Sequence, residues 1–386
     1  MRSLSAVAKS LPPSGIRKFF DLVAATKGVI SLGVGEPDFV TPDCIREAGI
    51  KAIRDGQTSY TSNAGTPECR DAISKYLSDL YCIEYNPGDE ILVTVGVSEA
   101  MDLALRALIN PGDEVLVPEP CFVSYKPIAK LAGGVPVAVD LRAENDFRIS
   151  VEDLEARVTP RSRAIIISYP SNPTGAVMSR EELTAVAEFC EKHDLWVISD
   201  EIYDRLTYIG EPTCFATLPG MRERTITLNG FSKAFAMTGW RLGYACGPKE
   251  VLAVMHRIHQ YGMMSAPTIS QIAAMEALTN ADADVRRMVS SYNQRRRIIV
   301  DGFRSLGLDC FEPGGAFYCF PSIESLGMDD ETFAQALLDE QQVALVPGVA
   351  FGESGKGHVR CCYAVSLDNI QEALNRIGRF VEKHRQ

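Results

Sequence analysis

The sequence predicts an α/β protein in which helices flank a large, mostly parallel sheet, with a smaller α+β domain beside it. Short apolar runs alternate with amphipathic segments through the middle of the chain. The last hundred residues no longer show this alternation. The length of 386 residues also exceeds that at which a single hydrophobic core usually stops growing, so two domains are expected.

Five apolar runs are typical of buried parallel strands, because each is short, rich in aliphatic side chains and followed by a turn signal. These runs cover residues 91–95, 114–117, 164–168, 195–199 and 225–228. Amphipathic segments between them, such as 98–109 and 180–193, are predicted to be helices. The alternation indicates β-α-β units.

The C-terminal part predicts the smaller α+β domain. A charged helix is expected over 282–306, short strands around 317–320 and 359–362, and a closing helix over 367–383. The N-terminal residues are expected to join this part, because 1–41 is too short to form a domain alone. The predicted large domain is therefore 42–285, and the small domain combines 1–41 with 286–386.

Composition limits the partners of the protein. Its formal net charge of −11 argues against nucleic acid or an anionic membrane, which both attract basic surfaces. No apolar stretch approaches the roughly 18 residues needed to span a bilayer. The 11 cysteines lack the paired spacing of zinc sites, so they predict reduced thiols, a cytoplasmic protein and no metal site.

Polar residues that follow the predicted strands carry the functional signal, because ligands bind at the carboxyl ends of strands in such sheets. Gly96, Val97 and Ser98 lie between the first strand and a helix, where free N–H groups suit a phosphate. An ordinary strand–helix turn is the alternative. Phe122, after the second strand, predicts either a ring stacked on a flat cofactor or a core residue.

Asn172 and Asp200 follow the third and fourth strands. Asn172 lies between Pro170 and Pro173 in a rigid turn, which fits either a binding or a structural role. Asp200 ends a strand of apolar residues, so its carboxylate needs a partner if it is buried. A pyridinium N–H is one such partner, and a salt bridge or a helix cap is the other.

Lys233 follows the fifth strand in a segment rich in glycine and aromatic residues. Desolvation in such a setting lowers the pKa of a lysine amine and makes it a nucleophile. Arg241, eight residues later, offers a planar group for a phosphate. Two surface cations are the alternative, but this segment contains few other charges.

Together these residues match the needs of one cofactor. Pyridoxal phosphate requires a lysine nucleophile, an acid facing its ring nitrogen, a stacking ring and a phosphate cradle. The sequence places all four at the strand ends of one predicted sheet.

Three motifs give the sequence its resemblance to a known family. Residues 232–243 read Ser-Lys-x-x-x-x-x-Gly-Trp-Arg-x-Gly, residues 172–175 read Asn-Pro-Thr-Gly, and residues 33–39 read Gly-Val-Gly-Glu-Pro-Asp-Phe. Over essentially its whole length the chain resembles the class I/II aminotransferases of fold type I, which depend on pyridoxal phosphate. It is most similar to the prokaryotic aspartate and aromatic aminotransferases.

The resemblance implies roles for residues around the cofactor ring. Lys233 would form a Schiff base and then move a proton, while Asp200 would pair with the ring nitrogen. Asn172 and Tyr203 would bind the phenolic oxygen of the ring, and Phe122 would stack on it.

The resemblance also implies how the phosphate and the substrate bind. Arg360 would hold the substrate α-carboxylate, with Asn172 and the Gly35 backbone close by. Tyr60 would reach the phosphate of a neighbouring subunit, which implies a homodimer. The phosphate cradle within the chain would consist of Gly96, Val97, Ser98, Ser232 and Arg241.

The implied reaction moves the amino group of an L-amino acid to a 2-oxo acid, with 2-oxoglutarate expected as acceptor and ping-pong kinetics. Two residues depart from the family pattern. Gly230 stands where many members have Ser or Thr, which removes a phosphate contact. Ser98 stands where many prokaryotic aspartate aminotransferases place a lysine for the distal carboxylate, which favours aromatic or other apolar donors over aspartate.

Other functions compete with this one. A C–S lyase or a cyclopropane-forming synthase on the same fold would share the cofactor residues, so the motifs leave both open. A regulatory module is disfavoured because the chain is acidic and has no room for a DNA-binding segment before Gly33. A nicotinamide enzyme is disfavoured because no strand is followed by Gly-x-Gly-x-x-Gly.

Overall fold

The computed structural model describes residues 2–13 and 28–385, and a seven-stranded sheet lies at its centre. The order along this sheet is β2-β8-β7-β6-β5-β3-β4; β8 runs antiparallel to both of its neighbours and the other strands are parallel. The predicted fold class is confirmed. The strands are β1 (Ile30–Ser31), β2 (Ile91–Thr94), β3 (Glu114–Glu119), β4 (Val135–Asp140), β5 (Ser162–Ile167), β6 (Trp196–Asp200), β7 (Thr225–Gly230), β8 (Gly243–Cys246), β9 (Tyr318–Cys319), β10 (Val343–Ala344), β11 (Val346–Pro347) and β12 (Val359–Cys362).

The helices alternate with these strands as β-α-β units require. Local capping explains where several begin: at Ser179 a capping box with Glu182 satisfies the first N–H groups of the following helix. The α-helices of the described residues are α1 (Ala6–Ser10), α2 (Asp43–Arg54), α3 (Pro67–Tyr81), α4 (Gly96–Leu108), α5 (Tyr125–Leu131), α6 (Val151–Glu155), α7 (Arg180–Lys192), α8 (Lys249–Gly262), α9 (Thr268–Asn280), α10 (Asp282–Ser305), α11 (Asp330–Gln341) and α12 (Leu367–His384).

Both faces of the central sheet are buried under helices. Alternate residues of β5 point to opposite faces, as the period of a strand requires. Ala164 and Ile166 join the core under α4 and α8, whereas Ile165 and Ile167 join the core under α7. Because both sets are buried, the strand reads as a continuous apolar run, which explains why it could be predicted.

The remaining strands form two small sheets. β1 pairs with β10 in parallel, and β12 lies between β11 and β9 in an antiparallel arrangement. The first pairing joins residues near the N-terminus to the C-terminal part, which supports the predicted division into 42–285 and 1–41 with 286–386. That division stays a prediction, and it includes residues 1, 14–27 and 386, which lie outside the described residues.

Two strands of the central sheet were not predicted. β4 contains Pro136 and is half-exposed at the edge of the sheet, so it lacks a clear apolar run. β8 consists of Gly-Tyr-Ala-Cys, without a β-branched residue. In residues 2–13 and 28–385, no helix combines the length and apolar character that crossing a bilayer requires.

The close approach of β8 to the start of α4 gives a testable prediction. A Cβ atom on Gly243 would lie 2.8 Å from both the carbonyl carbon of Gly96 and the amide nitrogen of Val97. Because these are backbone atoms, they cannot rotate away. We expect Gly243→Ala to lower the free energy of unfolding by about 1–3 kcal/mol, measured by urea denaturation.

The control is Gly239→Ala, four residues away, where an added Cβ atom meets nothing within 4 Å. This variant should unfold at nearly the wild-type urea concentration. Equal stability of the two variants would contradict the proposed backbone crowding.

Candidate active site

A cavity of about 470 Å³ opens at the carboxyl edge of the central sheet. The parallel strands end at this edge, so the segments that follow β2, β3, β5, β6 and β7 converge there. Of the residues predicted from the sequence, all but Gly96 and Tyr60 line the cavity. Those that line it are Gly35, Val97, Ser98, Phe122, Asn172, Asp200, Tyr203, Ser232, Lys233, Arg241 and Arg360.

Lys233 lies just beyond β7, with its amine inside the cavity. Its Nζ donates a hydrogen bond to the carbonyl of Gly35 at 2.7 Å and lies 5.8 Å and 5.6 Å from the ring centres of Tyr203 and Phe317. Burial lowers the pKa of Lys233 from 10.5 to about 8, and the charge of Arg360 acts in the same direction. About a tenth of this amine is therefore unprotonated at pH 7, far more than for an ordinary lysine.

Asp200 is the last residue of β6 and is buried. Its Oδ2 accepts a hydrogen bond from the Tyr125 hydroxyl at 2.7 Å, and its Oδ1 accepts one from the Ile202 N–H at 3.3 Å. Burial raises the pKa of Asp200 to about 6, while the bond from Tyr125 lowers it. No lysine or arginine of the described residues forms an ion pair with Asp200, so a cationic ligand would satisfy this carboxylate.

Arg360 lies on β12 and is buried without a carboxylate partner among the described residues. Its guanidinium donates to Asn172 Oδ1 at 2.9 Å and to the carbonyl of Gly33. The rings of Tyr318 and Phe351 lie 4.6 Å and 4.8 Å from its Cζ. These contacts fix the plane of a group whose Nε has no hydrogen-bond partner, so the site is suited to a carboxylate.

The first turn of α4 and Arg241 bring together donor groups that would suit an anion. Gly96 has a φ of +76°, and a Cβ atom there would lie 2.8 Å from a terminal guanidinium nitrogen of Arg241. The missing side chain thus lets the guanidinium approach helix N–H groups that have no partner within the helix. Gly96 contributes through this approach and not by lining the cavity. Ser232, beside Lys233, lines the same region.

The departure at Gly230 has a structural reason. A Cβ atom at this position would lie 2.9 Å from Gly243 Cα and 3.0 Å from the carbonyl oxygen of Leu242. Strand β8 therefore leaves no room for the Ser or Thr side chain that many resembling proteins carry. An anion held here would depend on the remaining donor groups.

Two tyrosines of the cavity were missed by the sequence analysis. Tyr125, which holds Asp200, begins α5, and no local pattern distinguishes it from a core residue. Tyr318 falls within the predicted strand at 317–320, but nothing in that strand marked it as a site residue. Its hydroxyl lies 2.7 Å from the hydroxyl of Tyr203.

Phe122 partly faces the cavity and packs edge-on against Tyr125, with ring centres 5.6 Å apart. Tyr60 lies outside the cavity and has 82 % of its surface exposed. Its predicted role concerns a second subunit and stays a prediction.

Much of the remaining cavity lining is apolar. Val34, Met101, Val123 and Ile128 contribute to it. The cations that line the cavity are Lys233, Arg241 and Arg360. The cavity therefore combines charged groups with an apolar lining.

Comparisons with known proteins agree with this arrangement. The model of the family "Aminotransferase class I and II" matches residues 27–377. A putative aminotransferase YugH of Bacillus subtilis is 54% identical and is matched over 98% of both chains.

Two solved structures are similar along nearly the whole chain. An aromatic aminotransferase from Pyrococcus horikoshii is 42% identical, with a TM-score of 0.91 over 95% of this chain and 99% of that one. Thermus thermophilus aspartate aminotransferase with maleate is 39% identical, with a TM-score of 0.94 over 98% of this chain and 100% of that one. The chain belongs to the class I and II aminotransferase family and is a pyridoxal-phosphate-dependent aminotransferase of fold type I.

Proposed function

We propose that the cavity carries out ping-pong transamination between an aromatic or other apolar L-amino acid and 2-oxoglutarate. The observation that carries this proposal is that the Lys233 amine, the Asp200 carboxylate and the Arg360 guanidinium border one cavity, and none of them forms an ion pair within residues 2–13 and 28–385. Buried charges without partners are costly, so their presence indicates a ligand with complementary charges.

The residues present fit pyridoxal phosphate. Asp200 lacks a cationic partner and suits a protonated ring nitrogen, while Asn172 and Tyr203 suit the phenolic oxygen. Phe122 supports the stacking of a flat ring. The first turn of α4 suits the phosphate, with Val97, Ser98, Ser232 and Arg241 around it.

When bound, pyridoxal phosphate supplies an electron sink for the negative charge left as an amino acid loses its α-proton. The part of Lys233 is to hold and return that proton at its Nζ. A pKa near 8 suits this exchange, because the amine can both accept and release a proton near neutral pH. The Gly35 carbonyl, which accepts a hydrogen bond from this amine at 2.7 Å, holds the amine in place in the cavity.

Arg360 would orient the substrate. Its plane is fixed by Asn172, by the carbonyl of Gly33 and by two aromatic rings, so little side-chain entropy is lost when it binds an α-carboxylate. Gly35, two residues after Gly33, lines the cavity as well. With the carboxylate fixed there, the rest of the amino acid would extend into the cavity, whose lining includes Val34, Met101, Val123 and Ile128.

The apolar lining supports an aromatic or other apolar donor. Ser98 carries no positive charge, so the distal carboxylate of aspartate would meet no cation at this position. A Thermococcus litoralis relative, 41% identical, is named aromatic-amino-acid aminotransferase 2. We take 2-oxoglutarate as acceptor because a Petunia relative, 45% identical, is named for glutamate, whose oxo acid is 2-oxoglutarate.

A second copy of the chain would complete the enzyme. Tyr60, Tyr261, Met263 and Met264 are exposed by 82 %, 86 %, 54 % and 46 %. The segment that contains Tyr60 lies beside the segment that contains the other three, since Asn63 Nδ2 donates to the carbonyl of Met264 at 2.6 Å. Covering this apolar area with a partner subunit would remove it from water and bring each Tyr60 toward its partner. All eleven cysteines are free thiols, which supports work in the cytoplasm.

The first prediction concerns Lys233. We expect Lys233→Ala to abolish both the visible absorbance band of the bound cofactor and the formation of an oxo acid from phenylalanine and 2-oxoglutarate. Lys192→Ala, which removes an exposed partner of Glu155, is the control and should retain both. The wild type should form oxo acid without ammonia, because ammonia would indicate a lyase. Retained turnover in Lys233→Ala would contradict the proposal.

The second prediction concerns pH. Only the unprotonated amine attacks an aldehyde, so capture of pyridoxal phosphate by the apoprotein should accelerate about tenfold per pH unit below pH 8 and level off above it. Stopped-flow absorbance measures the rate. Free Nα-acetyl-lysine serves as reference and should level off only near pH 10. If the rate of capture by the protein also levelled off only near pH 10, burial would not depress the pKa of Lys233.

The third prediction concerns donor choice. Ser98→Lys should raise kcat/KM for aspartate at least about tenfold, because a cation would then face the distal carboxylate, and should lower it for phenylalanine. Ser98→Gln has similar length but no charge and should not favour aspartate. A wild-type enzyme that already prefers aspartate to phenylalanine would overturn the donor proposal.

A further inference from the structure

Tyr318 connects two parts of the site, and its hydroxyl has no role of its own in the proposed function. It lies on β9 and is 1% exposed. Its hydroxyl is 2.7 Å from that of Tyr203, which follows β6 of the central sheet. The contact therefore joins the small antiparallel sheet to the central sheet.

The ring of Tyr318 contacts the other end of the site. Its centre lies 4.6 Å from Cζ of Arg360, a distance at which the ring face attracts a guanidinium. Phe351 approaches the same guanidinium at 4.8 Å. Arg360 is thus held between rings as well as by its hydrogen bonds to Asn172 and Gly33.

Gly35 makes room for this arrangement. A Cβ atom at Gly35 would collide with the hydroxyl oxygen of Tyr318. The carbonyl of the same glycine accepts the hydrogen bond from Lys233. The Tyr318 hydroxyl consequently lies beside the backbone that positions the amine, at the centre of the site.

We propose that Tyr318 is a positioning residue with two separable actions: its hydroxyl sets the hydrogen-bond direction of Tyr203, and its ring holds Arg360. The inference rests on the proposed function, in which Tyr203 binds the phenolic oxygen of the cofactor and Arg360 binds the α-carboxylate.

The first action follows from counting protons. Each phenol has one proton to donate. If Tyr318 donates to Tyr203, the Tyr203 proton is left to point into the cavity, and the chain of two bonds strengthens the second donor. Burial raises the pKa of both phenols, so both keep their protons through the neutral range.

This donor has a spectroscopic consequence. A hydrogen bond to the phenolic oxygen would stabilise negative charge there. The Lys233 Nζ, once joined to the cofactor, would then lose its proton more easily. Weakening that bond makes the proton harder to remove. The pH midpoint of the visible band of the lysine-bound cofactor therefore reports on Tyr203 and, through it, on Tyr318.

The test uses the holoenzyme and two matched substitutions. Tyr318→Phe keeps the ring and removes the hydroxyl, so the pH midpoint should rise, but by less than in Tyr203→Phe, while the KM of phenylalanine changes less than about twofold. Tyr318→Leu removes the ring as well and should also raise that KM by about 2-fold to 30-fold, the range of a ring–guanidinium contact.

Tyr363→Phe is the control. This tyrosine is also buried, and its hydroxyl donates to the carbonyl of Ala316, at 3.3 Å, and does not line the cavity. The pH midpoint should not move in this variant. A Tyr318→Phe midpoint equal to that of the wild type, alongside a raised midpoint in Tyr203→Phe, would overturn the inference and leave the proposed function intact. A wild-type protein without any visible band would overturn the proposed function, and the inference with it.

Discussion

Three charged groups without an ion-pair partner in the described part of the chain are the constraint on which the rest of the site depends. Asp200 and Arg360 are buried, Lys233 is partly buried, and all three border one cavity. Each has hydrogen bonds that fix its direction. A protein interior tolerates such groups only when their cost is offset elsewhere. Here the sheet and its helices supply the rigid frame, and a bound molecule with matching charges completes the neutralisation. Burial depresses the pKa of the lysine and raises that of the aspartate.

Much of this arrangement could be predicted because its signals are local. The strand that ends at Asp200 and the strand before Lys233 are buried on both sides, so each reads as a short apolar run followed by an abrupt polar segment. Where the strand ends are known, the residues after them must converge at one edge. Arg360 was different: it lies in an apolar, cysteine-rich strand, and only the resemblance to a family gave it a role.

The residues that were missed act through contacts between distant parts of the chain. Tyr125 and Asp200 are 75 residues apart, and Tyr203 and Tyr318 are 115 apart. A tyrosine in an apolar segment reads as a core residue, and nothing nearby in sequence shows where its hydroxyl will point. Strand β8 was not predicted for another reason. Its Gly243 allows a close backbone approach, and none of its four residues is β-branched, so intrinsic strand preference gives little signal.

Because strand β8 runs antiparallel to its neighbours, its start lies at the edge of the sheet where the cavity opens. Its first residue, Gly243, pairs with the final residues of β2 and β7. The parallel strands are therefore followed by site residues, whereas β8 is preceded by one, Arg241. Had this segment run in the common direction, the guanidinium would sit at the far edge of the sheet. The polarity of one four-residue strand thus determines on which side of the molecule a negatively charged group can be held.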